Sequence, residues 1–203
     1  MTFRWREIGC AFGLLLAGLA SGAAADHPAG IILYAEGADG VSLLLADHLP
    51  PSQRGWAAFG GMHEQDETPA ETAARETEEE TNGFFSRTEL LARIKNSAPL
   101  FDGAYAFYFV KVPMVPIREI TKLHLYDGEA AYRERGPFAW VPFSAIERQL
   151  AAKSPILDSR YLPADARTNR LWTVWLNNLR VAIEAHALPW AADRTKMKSG
   201  VAN

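Results

Sequence analysis

The sequence predicts a single domain of mixed α/β (α+β) class. Its 203 residues are 48% hydrophobic and 22% charged, which is typical of a soluble globular domain long enough to bury a core. Segments rich in branched and aromatic residues alternate with segments of helical pattern. No repeat, low-complexity segment or linker interrupts residues 30–188, so one domain is the simplest interpretation.

The N-terminus has the layout of a cleavable signal peptide. Arg4 and Arg6 precede an apolar run at residues 11–19 that ends in small residues. The run is too short to span a bilayer of roughly 30 Å as a stable helix. We therefore expect residues 1–25 to be removed and residues 26–203 to be exported, periplasmic or secreted, with no stable membrane insertion. A retained single-pass anchor is the alternative.

Loss of the signal peptide changes both charge and cysteine content. It removes Arg4, Arg6 and Glu7, which leaves 19 basic against 23 acidic residues. This balance offers no electrostatic basis for binding DNA or RNA, so no nucleic-acid partner is expected. It also removes Cys10, the only cysteine, so the mature chain is predicted to form no internal disulfide.

The first half of the domain begins with a predicted hairpin. Residues 31–35 and 41–45 read as strands, and the Asp39-Gly40 pair between them is a frequent hairpin turn. A polar loop then leads to Trp56 and the Gly60-Gly61 pair. From residue 68 to residue 81 the pattern changes to that of a helix.

The second half is predicted to contain two strands and a long helix. Aromatic and branched residues predict strands at 104–112 and 138–143, with a charged loop at 127–136 between them. The last helix is predicted over residues 166–188. Its apolar stripe has a spacing near four and consists of Leu171, Trp175, Leu179 and Ile183.

The helix that follows the glycine pair has a well-defined start. Thr68 suits the N-cap and Pro69 the first helical position. Glu71, three residues after Thr68, completes a capping box. The sequence therefore predicts that this helix begins at residue 69.

Counted from that start, three carboxylates project from one face of the helix. Glu76, Glu79 and Glu80 fall at positions i, i+3 and i+4, and such close like charges repel. Divalent cations would relieve the repulsion, since carboxylate oxygens are the ligands that Mg²⁺ and Mn²⁺ prefer. Arg75 has an acid four residues away on either side and could orient one of them. The alternative is a solvated acidic helix face, which is the usual role of a run of glutamates.

The segment as a whole has the pattern G-x5-E-x7-R-E-x2-E-E, which resembles the Nudix box of the Nudix hydrolases. Two positions depart from the family pattern: Thr77 stands where an aliphatic residue is usual, and Asn82 where glycine is usual. Asn tolerates the left-handed conformation that ends a helix, and Gly83 follows at once. The matching positions are Gly61, Glu67, Arg75, Glu76, Glu79 and Glu80.

The resemblance extends over residues 29–188 and implies a fold and a metal site. The fold would be a mixed sheet sandwiched between helices, with the box forming a loop, helix and loop that hold Mg²⁺ or Mn²⁺. The metal ligands would be Glu76, Glu79 and Glu80. The Gly60 carbonyl would be a further ligand, and Glu67 would brace the loop.

The resemblance also implies hydrolysis of the diphosphate linkage in a nucleoside diphosphate joined to another group, by attack of water on phosphorus. A carboxylate must accept the proton of that water, and Glu79, Glu80 and Glu134 are equal candidates. Glu129 is the alternative to Glu134, and either could be a solvated loop acid. No serine or cysteine nucleophile is required.

The sequence leaves alternatives open for the substrate, for the oligomeric state and for whether the protein is catalytic. The resemblance implies a small nucleotide-type substrate and is compatible with a homodimer. The competing functions are a non-catalytic Nudix-fold domain that binds a nucleotide or regulates a partner, and an acidic interaction surface on an unrelated fold. Side chains that could contact substrate are Phe101, Tyr105, His63, Arg54, Arg118, Arg133, Arg135 and Arg160.

Overall fold

A computed structural model of the protein describes residues 27–122 and 134–191. The predicted signal peptide and Glu129 lie outside the described residues. Within these two ranges, no helix is both long and apolar enough to cross a membrane.

The predicted hairpin forms the start of the sheet. Strand β1 (Ala29–Gly37) pairs antiparallel with β2 (Gly40–His48), and Gly37 lies opposite Gly40 across a two-residue turn. Gly40 has φ +108°, a conformation that only glycine adopts readily, so the turn needs a glycine there. The hairpin prediction is confirmed, with strands longer than predicted.

Among residues 27–122 and 134–191, the sheet is mixed and has seven strands. The strands after β1 and β2 are β3 (Trp56–Ala57), β4 (Phe59–Gly61), β5 (Leu100–Asp102), β6 (Tyr105–Lys111) and β7 (Arg135–Pro142). β1 pairs in parallel with β6, and the other strand pairs are antiparallel. The order along the main path is β3-β2-β1-β6-β5, while β4 pairs with β1 and β7 with β2.

Helices cover both faces of this sheet. Because successive strand residues point to opposite faces, Ile32, Leu43 and Leu45 pack under α4 and α5, whereas Ile31 and Leu33 pack under α1 and α2. The predicted sheet sandwiched between helices is thus confirmed. The helices are α1 (Pro69–Glu80), α2 (Arg87–Ile94), α3 (Ile117–Lys122), α4 (Phe143–Ala152) and α5 (Thr173–Glu184), with a 3₁₀ turn at Ser159–Tyr161.

The prediction of a helix over residues 166–188 is wrong at both ends, because α5 spans only Thr173–Glu184. The residues before it are extended and pair with β3. The Trp56 N–H donates to the Arg170 carbonyl and the Trp172 N–H to the Trp56 carbonyl, each at 2.9 Å. These bonds to a distant segment replace the helical ones. Leu171 is buried as predicted, but as part of this bridge.

Candidate active site

The N-terminus of α1 has the predicted capping box. The Thr68 hydroxyl accepts a hydrogen bond of 3.3 Å from the Glu71 N–H, and the Glu71 carboxylate accepts one of 2.8 Å from the Thr68 N–H. Pro69 occupies the first helical position. Because its carboxylate is held at the cap, Glu71 is not the partner of Arg75.

The two departures from the family pattern are both accommodated. Thr77 is fully buried, and its hydroxyl donates to the Ala73 carbonyl at 2.7 Å, so its polar atom is satisfied. Asn82 has φ +55° and Gly83 φ +76°, both left-handed. The Gly83 N–H donates to the Glu78 carbonyl at 2.7 Å, which ends the helix in the expected way.

Arg75 joins the glycine-rich loop to α1. Its Nε donates to Glu67 Oε1 at 3.0 Å, and its Nη2 donates to Glu67 Oε2 at 3.1 Å and to the Met62 carbonyl at 2.8 Å. Although burial alone would raise it, the pKa of Glu67 is lowered by the hydrogen bonds from Arg75. The loop is therefore held against the helix by a nearly buried ion pair.

The remaining nitrogen of Arg75 lies between two of the three helix carboxylates. Nη1 donates to Glu76 Oε1 and to Glu79 Oε2, each at 3.1 Å. Burial, and then the charge of Glu80, raise the pKa of Glu76 to about 7 against the opposing effect of Arg75. Burial also raises the pKa of Glu79, again opposed by Arg75. One arginine thus offsets the repulsion between two carboxylates.

Glu80 is oriented away from Arg75 and into the protein. Its Oε2 accepts a hydrogen bond of 2.9 Å from the Gly60 N–H, and its Oε1 accepts one of 2.7 Å from Arg135 Nε. The side chains of Glu80 and Arg135 are only 5% and 1% exposed. Burial raises the pKa of Glu80, and the charge of Arg135 opposes this shift.

The two box glycines leave room for these side chains. A Cβ at Gly60, where φ is +148°, would lie 2.2 Å from the Tyr105 hydroxyl oxygen. A Cβ at Gly61 would lie 2.4 Å from Oε1 of Glu76. Gly60 therefore adopts a backbone conformation that favours glycine, and Gly61 allows the Glu76 carboxylate to pack closely against the loop.

Arg135 reaches Glu80 because β7 contains a bulge. Ala46 pairs with Phe138, yet His48, two residues further along β2, pairs with Arg135, so β7 has one extra residue. The extra residue inverts the alternation of side chains and turns Arg135 to the face that carries α1. Gly136, with φ +133°, lies inside the bulge.

The other nitrogens of Arg135 also contact protein atoms. Nη1 lies 2.5 Å from His48 Nδ1 and 2.6 Å from His48 Nε2, and Nη2 donates to the Ala58 carbonyl. His48 Nδ1 lies 2.7 Å from the Gly55 carbonyl and must donate to it, so Nε2 accepts from Arg135. Burial and the charge of Arg135 lower the pKa of His48 to about 3. The expectation that Arg135 reaches substrate phosphates is wrong, since its nitrogens are already engaged.

The three helix glutamates line a cleft of about 340 Å³ beside the glycine-rich loop. Glu134, one of the candidate proton acceptors, lines the same cleft. Arg118, Arg160 and Phe101 do not line it, and Arg133 lies outside the described residues. The rest of the lining consists of His48, Ser52, Arg54, Gly60, Gly61, Met62, Glu64 and Arg75.

The donors in this cleft suit a hard divalent cation. Within residues 27–122 and 134–191, no three side chains of the usual ligand types form a ready-made metal cluster. Glu76 and Glu79 accept hydrogen bonds from Arg75, and Glu80 accepts one from Arg135. The lining nevertheless contains three carboxyl groups with raised pKa values, on Glu76, Glu79 and Glu80. A bound Mg²⁺ or Mn²⁺ would stabilise their ionised form, whose oxygens are the ligands these cations prefer.

The chain matches a known family over most of its length. The family described as the NUDIX domain matches residues 26–161. The chain therefore belongs to the Nudix family and is a Nudix hydrolase. This membership supports pyrophosphate hydrolysis in general and a small nucleotide-like substrate. No protein of curated function is significantly similar in sequence.

Several solved structures are similar to the chain. A C. elegans Ap4A hydrolase in a binary complex is 16% identical, with 79% of this chain and 98% of that chain covered and a TM-score of 0.43. A mutT/nudix family protein from Listeria innocua is 18% identical, covering 80% and 96% with a TM-score of 0.39. RenU, a Nudix hydrolase from M. smegmatis, is 19% identical, covering 81% and 90% with a TM-score of 0.37.

Proposed function

We propose that the protein is a divalent-metal-dependent hydrolase that cleaves the diphosphate linkage of a nucleoside diphosphate joined to another group, by attack of water on phosphorus. The observation that carries the proposal is the placement of Glu76, Glu79 and Glu80 along one cleft, next to a loop that Arg75 ties to the helix. Mg²⁺ or Mn²⁺ held there would neutralise the diphosphate and lower the pKa of a bound water.

The hydrogen bonds already present support the proposed ligand roles. Glu76 and Glu79 each accept from Arg75, a contact that they could exchange for a cation. Glu80 accepts one bond at each oxygen, from the Gly60 N–H and from Arg135. An ionised carboxylate has about four lone-pair sites, so Glu80 retains acceptor capacity. The Gly60 carbonyl is a further candidate ligand.

Among the three candidates for the general base, we favour Glu134. The oxygens of Glu79 and Glu80 already accept hydrogen bonds from Arg75 and Arg135, and both residues are proposed metal ligands, so they are less free to accept a proton from water. Glu134 is exposed at the cleft and forms no ion pair with another described residue. It therefore has the freedom to approach a bound water.

The test is a hydrolysis assay of residues 26–203 with nucleotide sugars, dinucleotides, ADP-ribose and nucleoside triphosphates, with Mg²⁺ or Mn²⁺. Glu79→Gln, Glu80→Gln and Glu134→Gln are the variants, and Glu89→Gln on the exposed surface of α2 is the matched control. We expect metal-dependent cleavage that the first three variants lose and the control keeps. A folded wild type that binds nucleotide but cleaves nothing would instead support a binding or regulatory domain.

We also propose that residues 1–25 are removed on export. Arg4, Arg6 and the apolar run at residues 11–19 support this. The test is the N-terminal sequence of the protein recovered from cells and from the exported fraction. A chain that still begins with Met1 would contradict cleavage and support a retained anchor.

A further inference from the structure

Arg54, one of the residues that line the cleft, lies against an aromatic side chain. It belongs to the loop between β2 and β3, and its guanidinium carbon is 5.1 Å from the centre of the Trp172 ring. Trp172 is held by its backbone bond to Trp56 and by an edge contact with the His48 ring, whose centroid is 5.1 Å away. The ring is therefore a fixed platform that favours one position of the guanidinium.

Arg54 differs from the other arginine of the cleft in what it contacts. Arg75 is only 10% exposed, and its nitrogens bind Glu67, Glu76 and Glu79. Arg54 is exposed and forms no ion pair with any carboxylate of the described residues. The imidazole beside its platform, that of His48, is neutral and adds no repelling positive charge. The donors of Arg54 are thus available to a ligand.

The negative charge of the cleft lining also favours a positively charged side chain as the contact for phosphate. Its lining contains five carboxylates, on Glu64, Glu76, Glu79, Glu80 and Glu134. A phosphate chain entering it would be repelled wherever these charges are not neutralised. A planar guanidinium offers paired N–H donors that match two oxygens of one phosphate.

We propose that Arg54 binds the phosphate chain of the substrate and that Trp172 positions Arg54 for this contact. The inference deepens the proposed function and rests on it for the identity of the cleft as the substrate site. Its ligand class is the diphosphate group itself, so it predicts recognition of phosphate oxygens and no selectivity for the base.

The first test measures binding without turnover. Inorganic pyrophosphate with saturating Mg²⁺ is titrated calorimetrically into wild type, Arg54→Gln, Arg54→Lys and Arg118→Gln. Arg118 is an exposed arginine outside the cleft, so its variant is the matched control for loss of one surface charge. We expect Arg54→Gln to weaken binding about tenfold or more, Arg54→Lys to weaken it less, and Arg118→Gln to leave it unchanged.

The second test separates binding from chemistry and examines the platform. With a substrate identified by the hydrolysis assay, Arg54→Gln should raise KM while kcat stays within about threefold. Trp172→Leu should resemble Arg54→Gln, whereas Trp172→Phe, which keeps a ring, should lie close to wild type. Thermal unfolding of each variant shows whether the fold is intact.

The outcomes distinguish this inference from the hydrolase proposal. Unchanged pyrophosphate affinity and KM in Arg54→Gln would overturn the role of Arg54 while hydrolysis stood. Pyrophosphate binding that depends on Arg54, in a wild type that cleaves nothing, would support Arg54 and overturn the hydrolase. A wild type that neither binds pyrophosphate nor cleaves any substrate would overturn both.

Discussion

Arg135 Nε donates a 2.7 Å hydrogen bond to Glu80 Oε1, across 55 positions of the sequence and almost out of contact with solvent. The pair joins the last strand of the sheet to the acidic helix. Glu80, a carboxylate of the Nudix box that lines the cleft, is thereby held in place by a side chain outside the box.

Replacing Arg135 should destabilise the protein, because it leaves a buried carboxylate without its counter-charge. We expect Arg135→Met to lower the free energy of unfolding by about 3–5 kcal/mol, measured by urea denaturation. Adding Glu80→Gln should recover part of this loss, since the amide needs no counter-ion. A loss below about 1 kcal/mol in Arg135→Met would show that the pair contributes little.

Metal affinity should rise with pH up to about neutrality. The pKa of Glu76 is raised to about 7, so below that pH a cation must displace a proton from this carboxylate. Mn²⁺ titrations between about pH 5.5 and 8 should show affinity that increases and then levels off above about pH 7. Glu76→Gln should bind weakly with a flatter profile, and Glu89→Gln should follow wild type. A wild-type affinity independent of pH would contradict this.

His48 should make the fold sensitive to acid. Its folded-state pKa of about 3 lies below the ordinary value of 6.5, so the unfolded chain binds the extra proton first. The resulting stability is fully present above pH 6.5 and is lost as the pH falls from there towards 3. Between pH 7 and pH 4.5 this amounts to about 2.5 kcal/mol.

The control for this titration is His48→Gln, whose amide can still accept from Arg135. Its free energy of unfolding should fall less than that of wild type over the same pH range, by urea denaturation at each pH. Parallel pH profiles for the two proteins would exclude His48 as the source of the acid sensitivity.

A methyl group at Gly61 should disturb the site more than the fold. It would lie 2.4 Å from a carboxylate oxygen of Glu76, which must then move off the loop. We expect Gly61→Ala to weaken Mn²⁺ binding and hydrolysis about tenfold or more, with a small change in Tm. Gly37→Ala is the control, since its nearest contact would be 3.9 Å away. Equal activity of the two variants would show that this close packing is unimportant.

Local features could be predicted from the sequence because their partners are near in the chain. The capping box joins Thr68 to Glu71, and the hairpin places Gly37 opposite Gly40, so a few residues specify each structure. The single face shared by Glu76, Glu79 and Glu80 follows from helical periodicity alone. The extended pairing of residues 170–172 with Trp56 could not be predicted, since that partner is over 100 positions away.

The acidic helix, its start and the composition of the candidate metal site are specified by the amino-acid sequence alone. How these side chains are held depends on the tertiary structure, which places Arg135 on Glu80 and Arg54 on Trp172. The first contact requires one extra residue in β7, and a shift of one residue in strand register moves every side chain to the other face. Such a register depends on the packing of the whole sheet, so no local pattern could specify it.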